Sequence, residues 1–282
     1  MREPAAAGYF YPGKRRSLES SIEDCFKRGP GPIRMKGSGG KGVFGIVSPH
    51  AGYPYSGSVA AFGFRALEDG GLPGTVVIVG PNHGGWGSPA GKSLEDWKTP
   101  LGVIECDREL ADRIDIDVDE NAHGSEHSLE VQVPFIQSLD PGIKMVGIQM
   151  TDQSLASAKE LGRKLARALD GYGRKVALVA SSDFTHCGAS YRVPVPPGMN
   201  PGQYAESIDI PLIKELLRMD LESAYEVKRR LGVTACGLGP VAAMMTAARE
   251  SGRADVELLK YATSYDVSPS NAAVGYASMV VR

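Results

Sequence analysis

The sequence predicts an α/β sandwich, in which helices cover a central sheet that is mixed and largely parallel. Short apolar runs typical of buried strands alternate with segments of helical periodicity along most of the chain. The 282 residues are 42% hydrophobic, which is enough to bury a sizeable core. No repeat or linker divides the chain, so we expect one domain over 1–282.

The first half of the chain begins with an irregular arm, 1–16, and then alternates helices with strands. The arm carries three adjacent aromatic residues at 9–11, and Ser17 is a suitable N-cap for the helix that follows. The glycine-rich segment 29–42 contains Gly-Lys without the spacing of a phosphate-binding loop, and a strand follows it, so we predict an ordinary loop or hairpin. The elements predicted next are helix 17–28, strand 43–48, helix 56–68, strand 75–79, loop 84–99, strand 101–105, helix 107–113 and helix 125–139 with a kink at Pro134.

The second half continues the alternation and ends in two strands. A proline-rich loop lies between strand 175–181 and a group of three helices. The elements predicted here are strand 143–149, helix 153–170, strand 175–181, loop 188–204, helices 205–218, 220–230 and 239–250, and strands 255–263 and 273–281.

Two predicted strands end in the same way, at a proline that a histidine follows within two residues. The first strand stops at Pro49 before His50, and the second stops at Pro81 before His83. Proline cannot continue a central ladder, so each strand should end there. Open α/β sheets bind ligands beyond the carboxyl ends of their strands. We therefore expect the two imidazoles to meet in such a crevice.

Further candidate groups follow a third strand and precede a helix of small residues. Asp183 and His186 come after strand 175–181, and Cys236 lies in a glycine-rich turn. Imidazole and thiolate are good ligands for transition metals, and two histidines with one anionic ligand are typical of non-haem iron and catalytic zinc sites. The sequence thus predicts a metal site at His50, His83 and Cys236. Asp183 and His186 are three residues apart, so we predict that Asp183 hydrogen-bonds to His186 and supports it, and that the pair orients a ligand or moves protons.

Each candidate also has a structural interpretation, and one competing metal pattern exists. A strand-end histidine can be a simple hydrogen-bonding residue, Cys236 a small buried hydrophobe, and Asp183 a turn cap. His123-Gly-Ser-Glu126-His127 matches the His-x-x-Glu-His pattern of inverzincin peptidases. That chemistry needs both histidines one turn apart on a helix, whereas Gly and Ser here indicate the helix entrance, so we disfavour it.

At these residues the sequence resembles the Memo family. The motifs that carry the resemblance occur in order: Ser-Pro-His-Ala-Gly-Tyr, Gly-Pro-Asn-His, Glu-His-Ser-Leu-Glu, Ser-Ser-Asp-Phe-Thr-His and Ala-Cys-Gly-x-Gly-Pro, preceded by Ala-Gly-Tyr-Phe-Tyr-Pro-Gly. Memo proteins are similar in fold to class III extradiol dioxygenases, which use non-haem iron. The resemblance implies that His50, His83 and Cys236 are metal-site residues and that Asp183 and His186 complete the pocket, with His186 as the acid/base histidine.

The resemblance also implies a range of functions. The first is redox or oxygenase-type chemistry at a mononuclear iron site, with copper or zinc as alternatives, on an unknown small molecule or peptide. A radical-SAM protein or an AMMECR-type domain is the implied partner. One alternative is a binding module on a retired dioxygenase scaffold. The residues alone also leave open a zinc hydrolase with Glu126 or Asp183 as base, although the thiol of Cys236 and the resemblance both argue against it. The residues expected to bind substrate or line the pocket rim are Tyr53, Tyr55, Trp86, Trp97, Glu126 and His127.

Charge and composition exclude other classes of function. The net charge of −2 does not favour a nucleic acid or an acidic membrane as partner. No apolar run is long enough to span a bilayer, and no signal-peptide pattern is visible. The four cysteines form no Cys-x-x-Cys pair, which is typical of thiols in a reducing compartment. We therefore expect a cytoplasmic protein.

Overall fold

The computed structural model of the protein describes residues 1–28 and 42–282, so all but the last residue of the loop predicted over 29–42 lies outside the described residues. The helices are α1 (Arg15–Lys27), α2 (Tyr53–Asp69), α3 (Arg108–Arg113), α4 (Glu120–His123), α5 (Val133–Leu139), α6 (Leu155–Leu169), α7 (Pro201–Leu217), α8 (Leu221–Leu231), α9 (Leu238–Glu250) and α10 (Ser264–Val267). Among the described residues, no helix combines the length and the apolar character that crossing a bilayer requires.

The central sheet is mixed, as predicted, and contains nine strands within the described residues. The strands of the protein are β1 (Gly45–Ser48), β2 (Thr75–Pro81), β3 (Ala90–Lys92), β4 (Trp97–Thr99), β5 (Gly102–Ile104), β6 (Asp117–Val118), β7 (Lys144–Met150), β8 (Val176–Ser181), β9 (His186–Gly188), β10 (Val256–Thr263) and β11 (Ala272–Val281). The order in the sheet is β10-β11-β1-β8-β2-β7-β3-β6, with β9 paired to β11 and a separate β4–β5 hairpin.

The centre of the sheet is parallel, whereas antiparallel strands flank it on both sides. β1, β8, β2 and β7 run in the same direction, while β11 and β3 pair against them. Their side chains alternate between two cores: Val77 and Val79 pack under α6 and α9, and Val76 and Ile78 pack under α1, α2 and α5. Because a parallel strand is covered on both faces, its sequence is continuously apolar, which explains the strong strand signals.

The predicted helix over 125–139 is wrong in its first half. Residues 125–129 are not helical, a 3₁₀ turn follows at Glu130–Gln132, and α5 begins only at Val133. Pro134 lies in the first turn of α5, where its missing N–H would have no helical partner, so it starts the helix instead of kinking it. The predicted loop 84–99 contains the short strands β3 and β4, and the short elements β6, β9, α4 and α10 were not predicted.

A buried carboxylate, Asp209 of α7, ties that helix to the strands near the candidate site. Its oxygens accept hydrogen bonds from the backbone N–H of Thr185 at 3.1 Å, the Thr185 hydroxyl at 2.6 Å and the Tyr261 hydroxyl at 2.8 Å. Burial raises the pKa of Asp209 to about 7, although the hydrogen bonds from Thr185 and Tyr261 oppose this shift. Folding therefore favours the protonated carboxyl group.

This raised pKa predicts how stability depends on pH. An unfolded Asp releases its proton near pH 4, so the stability that Asp209 contributes should be present below that pH and be lost as pH rises to about 7. Urea unfolding of the wild type and of Asp209→Asn should show a stability difference that changes across this window and is constant above it. Parallel stability curves from pH 4 to pH 8 would contradict the assignment.

Candidate metal centre

The candidate site lies at the carboxyl ends of three neighbouring parallel strands. His50 follows β1, Asp183 follows β8 and His83 follows β2, and β8 lies between the other two strands in the sheet. A cavity of about 590 Å³ opens at this edge and is lined by all three residues. The predicted meeting of the two strand-end histidines is therefore confirmed.

A third imidazole, that of His127, lies close to the two strand-end histidines in this cavity. His50, His83 and His127 each offer one ring nitrogen, and these nitrogens all lie within 4.8 Å of one another. The ring of His83 is 5.3 Å from that of His50 and 4.8 Å from that of His127 between centroids. Neutral imidazole nitrogens at this spacing can hold one transition-metal ion between them.

A hydrogen-bond network fixes the orientation and the tautomer of His50. The Ser181 hydroxyl donates its only proton to the Ser128 carbonyl at 2.6 Å, so its oxygen accepts from Gln132 Nε2 and from His50 Nδ1, each at 2.9 Å. His50 thus carries its proton on Nδ1 and presents the lone pair of Nε2 to the cavity. Burial and the neighbouring imidazoles lower the pKa of His50 well below its usual value, which keeps it neutral.

The Glu126 carboxylate orients His83 in the same way. It accepts the backbone N–H of His83 at 2.7 Å, His83 Nδ1–H at 2.9 Å and the backbone N–H of Ser128 at 2.7 Å. Burial opposes ionisation of both groups, but their mutual hydrogen bond and charge raise the pKa of His83 and lower that of Glu126. Glu126 therefore remains a buried anion that directs the other nitrogen of His83 into the cavity.

His127 is held mainly by stacking. Its ring lies between Phe10, at 4.2 Å and 23°, and His83, at 4.8 Å and 19° between ring planes. His127 Nδ1 is also 3.3 Å from Glu126 Oε1. Burial lowers the pKa of His127 to about 4, so the ring is neutral near pH 7.

Cys236 lies beside His50, as the sequence predicted. Its Sγ is 3.1 Å from His50 Nε2 and accepts a hydrogen bond from the Asp183 backbone N–H at 3.3 Å. A Cβ on the next residue, Gly237, would lie 2.2 Å from the Ser181 carbonyl oxygen, so only glycine lets this turn approach β8 so closely. Burial and the charge of Asp183 raise the pKa of the thiol.

Asp183 and His186 both line the cavity, but they do not hydrogen-bond to each other. Asp183 Oδ1 accepts the backbone N–H groups of His50 at 2.7 Å and Ala51 at 3.3 Å, and burial raises its pKa to about 7. His186 donates from Nδ1 to the Phe184 carbonyl at 2.9 Å, and burial lowers its pKa. The predicted support of His186 by Asp183 is therefore corrected: Asp183 supports the His50 loop.

Only some of the residues predicted to bind substrate lie at the cavity. Tyr55 and His127 line the cavity, and Glu126 lies behind His83. Tyr53 and Trp86 are not among the described residues that line it. Tyr53 is buried and its hydroxyl donates to the Val131 carbonyl at 2.8 Å, whereas Trp86 is exposed.

Trp97, predicted as a rim residue, and His123, part of the competing metal pattern, both lie away from the cavity. Trp97 is buried under the guanidinium of Arg2, 4.2 Å from the ring centroid, and so is not a rim residue. His123 is buried beside Trp97, and its Nε2 lies 3.1 Å from the Gly91 carbonyl oxygen. The His-x-x-Glu-His interpretation fails because His123 and His127 do not share a helix face.

Several described residues of the site were not predicted. Ser181 could have been found as a hydroxyl at the end of a predicted strand, next to Asp183, and Phe10 belongs to the aromatic patch of the arm. The other polar and aromatic wall residues give no sequence signal, because segments far apart in sequence bring them together. They are Ser190, Tyr191, Ser264, Ser268, Ser270 and Tyr276.

Comparison with known proteins gives one family. A family profile described as "Memo-like protein" matches residues 2–280. MEMO1 family proteins of Pyrobaculum aerophilum and Methanosarcina barkeri are 42% and 40% identical, covering 99% and 100% of this chain and 98% and 100% of their own. That of Methanococcoides burtonii is 43% identical over 100% of both. A solved structure of an uncharacterized protein from Escherichia coli K12 is 16% identical, with a TM-score of 0.44, covering 74% of this chain and 86% of its own. The chain belongs to the Memo family.

Proposed function

We propose that the protein holds a single transition-metal ion at His50 and His83 and carries out metal-dependent redox or oxygenase-type chemistry. The observation that supports this most directly is the convergence of three imidazole nitrogens within 4.8 Å of one another. Two of these rings have their other nitrogen committed to a fixed acceptor, Ser181 or Glu126. Such partners hold ligand histidines in place in known metal sites.

The donor set fits a borderline metal. Imidazole suits iron, copper and zinc, and a neighbouring thiol adds affinity for the softer ions. We propose iron as the native metal, with copper or zinc as the alternatives. Bound iron would supply one-electron redox chemistry and an open position for oxygen or a substrate oxygen, as in two-histidine iron sites.

Two residues compete to be the third ligand. His127 belongs to the cluster of converging nitrogens, and its neutral ring is ready to bind. Cys236 touches His50 Nε2, but burial raises the pKa of its thiol, so binding there must displace a proton. Resemblance to the family favours Cys236, and the geometry of the described residues favours His127.

His186 is the proposed proton carrier of the site. Its Nδ1 donates to the Phe184 carbonyl, which leaves Nε2 as the nitrogen that can exchange a proton with a ligand in the cavity. Its backbone N–H is held by the Thr234 hydroxyl at 2.7 Å. A histidine fixed in this way can act as a general acid or base.

The hydrolytic role, the cellular location and the partner have less support from the site geometry. Glu126 is a poor candidate for a hydrolytic base, because its oxygens already accept three hydrogen bonds from His83 and Ser128. We propose a cytoplasmic location, which the four free cysteines support. The substrate and the radical-SAM or AMMECR-type partner stay predictions from the resemblance.

Metal analysis tests the site and its third ligand. Protein purified without a histidine tag should contain about one metal ion per chain, and His50→Ala should reduce bound metal to background because it removes a first ligand. Of His127→Ala and Cys236→Ser, the variant that loses more metal identifies the third ligand. Cys106→Ser, which changes a buried thiol elsewhere, is the matched control. Wild-type protein that binds no iron, copper or zinc would refute the proposal.

Oxygen uptake tests the chemistry. Protein loaded anaerobically with iron(II) should consume oxygen when it is mixed with catechols or other reducing phenols. Loss of the proton carrier in His186→Ala should lower kcat by about 10²-fold, with metal content unchanged. If no metal supports turnover while the protein still binds ligands in the cavity, the site is a binding module.

The orienting role of Glu126 predicts an effect on metal affinity. Glu126→Gln places an amide N–H opposite a His83 donor, so affinity should fall by about 10- to 100-fold. Competition with a chromophoric chelator measures this change. Glu120→Gln is the matched control, because Glu120 also accepts hydrogen bonds, from Ser93 at 2.7 Å and Leu94 at 2.6 Å, outside the histidine cluster. Equal affinities would show that Glu126 does not orient His83.

A further inference from the structure

The arm formed by residues 2–11 contacts the segments that carry the site histidines. The buried guanidinium of Arg2 donates to the His123 carbonyl at 2.8 Å, the Glu126 carbonyl at 2.8 Å and Glu130 at 2.6 Å. The backbone of Glu126, whose carboxylate orients His83, is thus held directly by a residue more than a hundred positions earlier.

Glu130 fastens the rest of the arm. Its side chain is fully buried, and its two oxygens accept the backbone N–H groups of Ala5 at 2.9 Å and Ala6 at 2.8 Å, the Tyr11 hydroxyl at 2.6 Å and the Arg2 guanidinium. Every hydrogen bond that the described residues give this carboxylate comes from the arm. The arm cannot leave without exposing or unpairing a buried charge, so its position is tightly defined.

Phe10 connects the arm to the other two histidines. Its carbonyl accepts the backbone N–H of Tyr53 at 2.8 Å, at the start of α2 and three residues after His50. Its ring stacks on His127 at 4.2 Å and forms part of the cavity wall. One residue therefore touches both the loop that holds His50 and the ring of His127.

We propose that the arm 2–11 is a brace of the metal centre, in which Arg2 positions the Glu126–His83 pair and Phe10 positions the ring of His127. This proposal rests on the proposed function and adds the residues that set the spacing of its ligands. A brace differs from ordinary packing in what it controls. Loss of packing lowers stability alone, whereas loss of a brace lowers the affinity of the folded protein for a metal ion.

The test compares zinc affinity in four variants of the full chain, by competition with a chromophoric chelator. Phe10→Ala and Arg2→Met should each bind zinc about tenfold more weakly, as loss of a residue that orients a ligand commonly does. Phe10→Tyr keeps the stacked ring and should restore affinity to within about twofold of the wild type. Tyr9→Ala is the matched control, because Tyr9 belongs to the same arm and is 89% exposed.

A second readout needs no metal. Nuclear Overhauser contacts between the rings of His83 and His127 should weaken in metal-free Phe10→Ala and persist in Tyr9→Ala. Unchanged ring contacts together with unchanged zinc affinity would overturn the brace. If Arg2→Met does not fold, Phe10→Ala decides, since it leaves the Glu130 hydrogen bonds intact. Wild-type protein that binds no metal would refute the proposed function, and the ring contacts would still decide the brace.

Discussion

The parallel pairing of β1, β8 and β2 is the constraint on which the site depends. Because these strands run in one direction, their carboxyl ends meet at one edge, and the residues that follow them are brought together. β1 ends just before Pro49 and β2 ends at Pro81, and the rings of His50 and His83 that follow lie 5.3 Å apart between centroids. The helices on both faces bury the apolar strands and keep these ends in register.

Hydrogen bonds to buried polar groups fix the orientation of the histidines in these loops. Each of His50 and His83 donates from Nδ1 to an oxygen that cannot move freely, in Ser181 or in Glu126. Asp183 performs a related task for the backbone by accepting the N–H of His50. An unsatisfied donor or acceptor here would be costly in the low dielectric of the interior, so the network admits few alternative arrangements.

The segment between α4 and α5 does not follow the helical pattern of its sequence. The sequence predicts one kinked helix here, but residues 125–129 are not helical, because their backbone and side chains bond to other parts of the protein. The Glu126 carboxylate accepts a hydrogen bond from His83, and the Ser128 carbonyl accepts one from the Ser181 hydroxyl. Tertiary hydrogen bonds thus outweigh helical periodicity over these five residues. The resulting non-helical conformation brings His127, one of the five, into the site.

The sequence by itself determined the histidines at the strand ends and most of the strands, because apolar runs and prolines are local signals. The strands it determined are β1, β2, β5, β7, β8, β10 and β11. It also marked Cys236, and the structure confirms that its sulfur touches His50. Only the tertiary structure decided that His127 joins the cluster, that Asp183 serves the His50 loop instead of His186, and that an arm from the start of the chain covers the site. These are contacts between segments far apart in sequence, and strand order and the packing of loops set them, which no local pattern encodes.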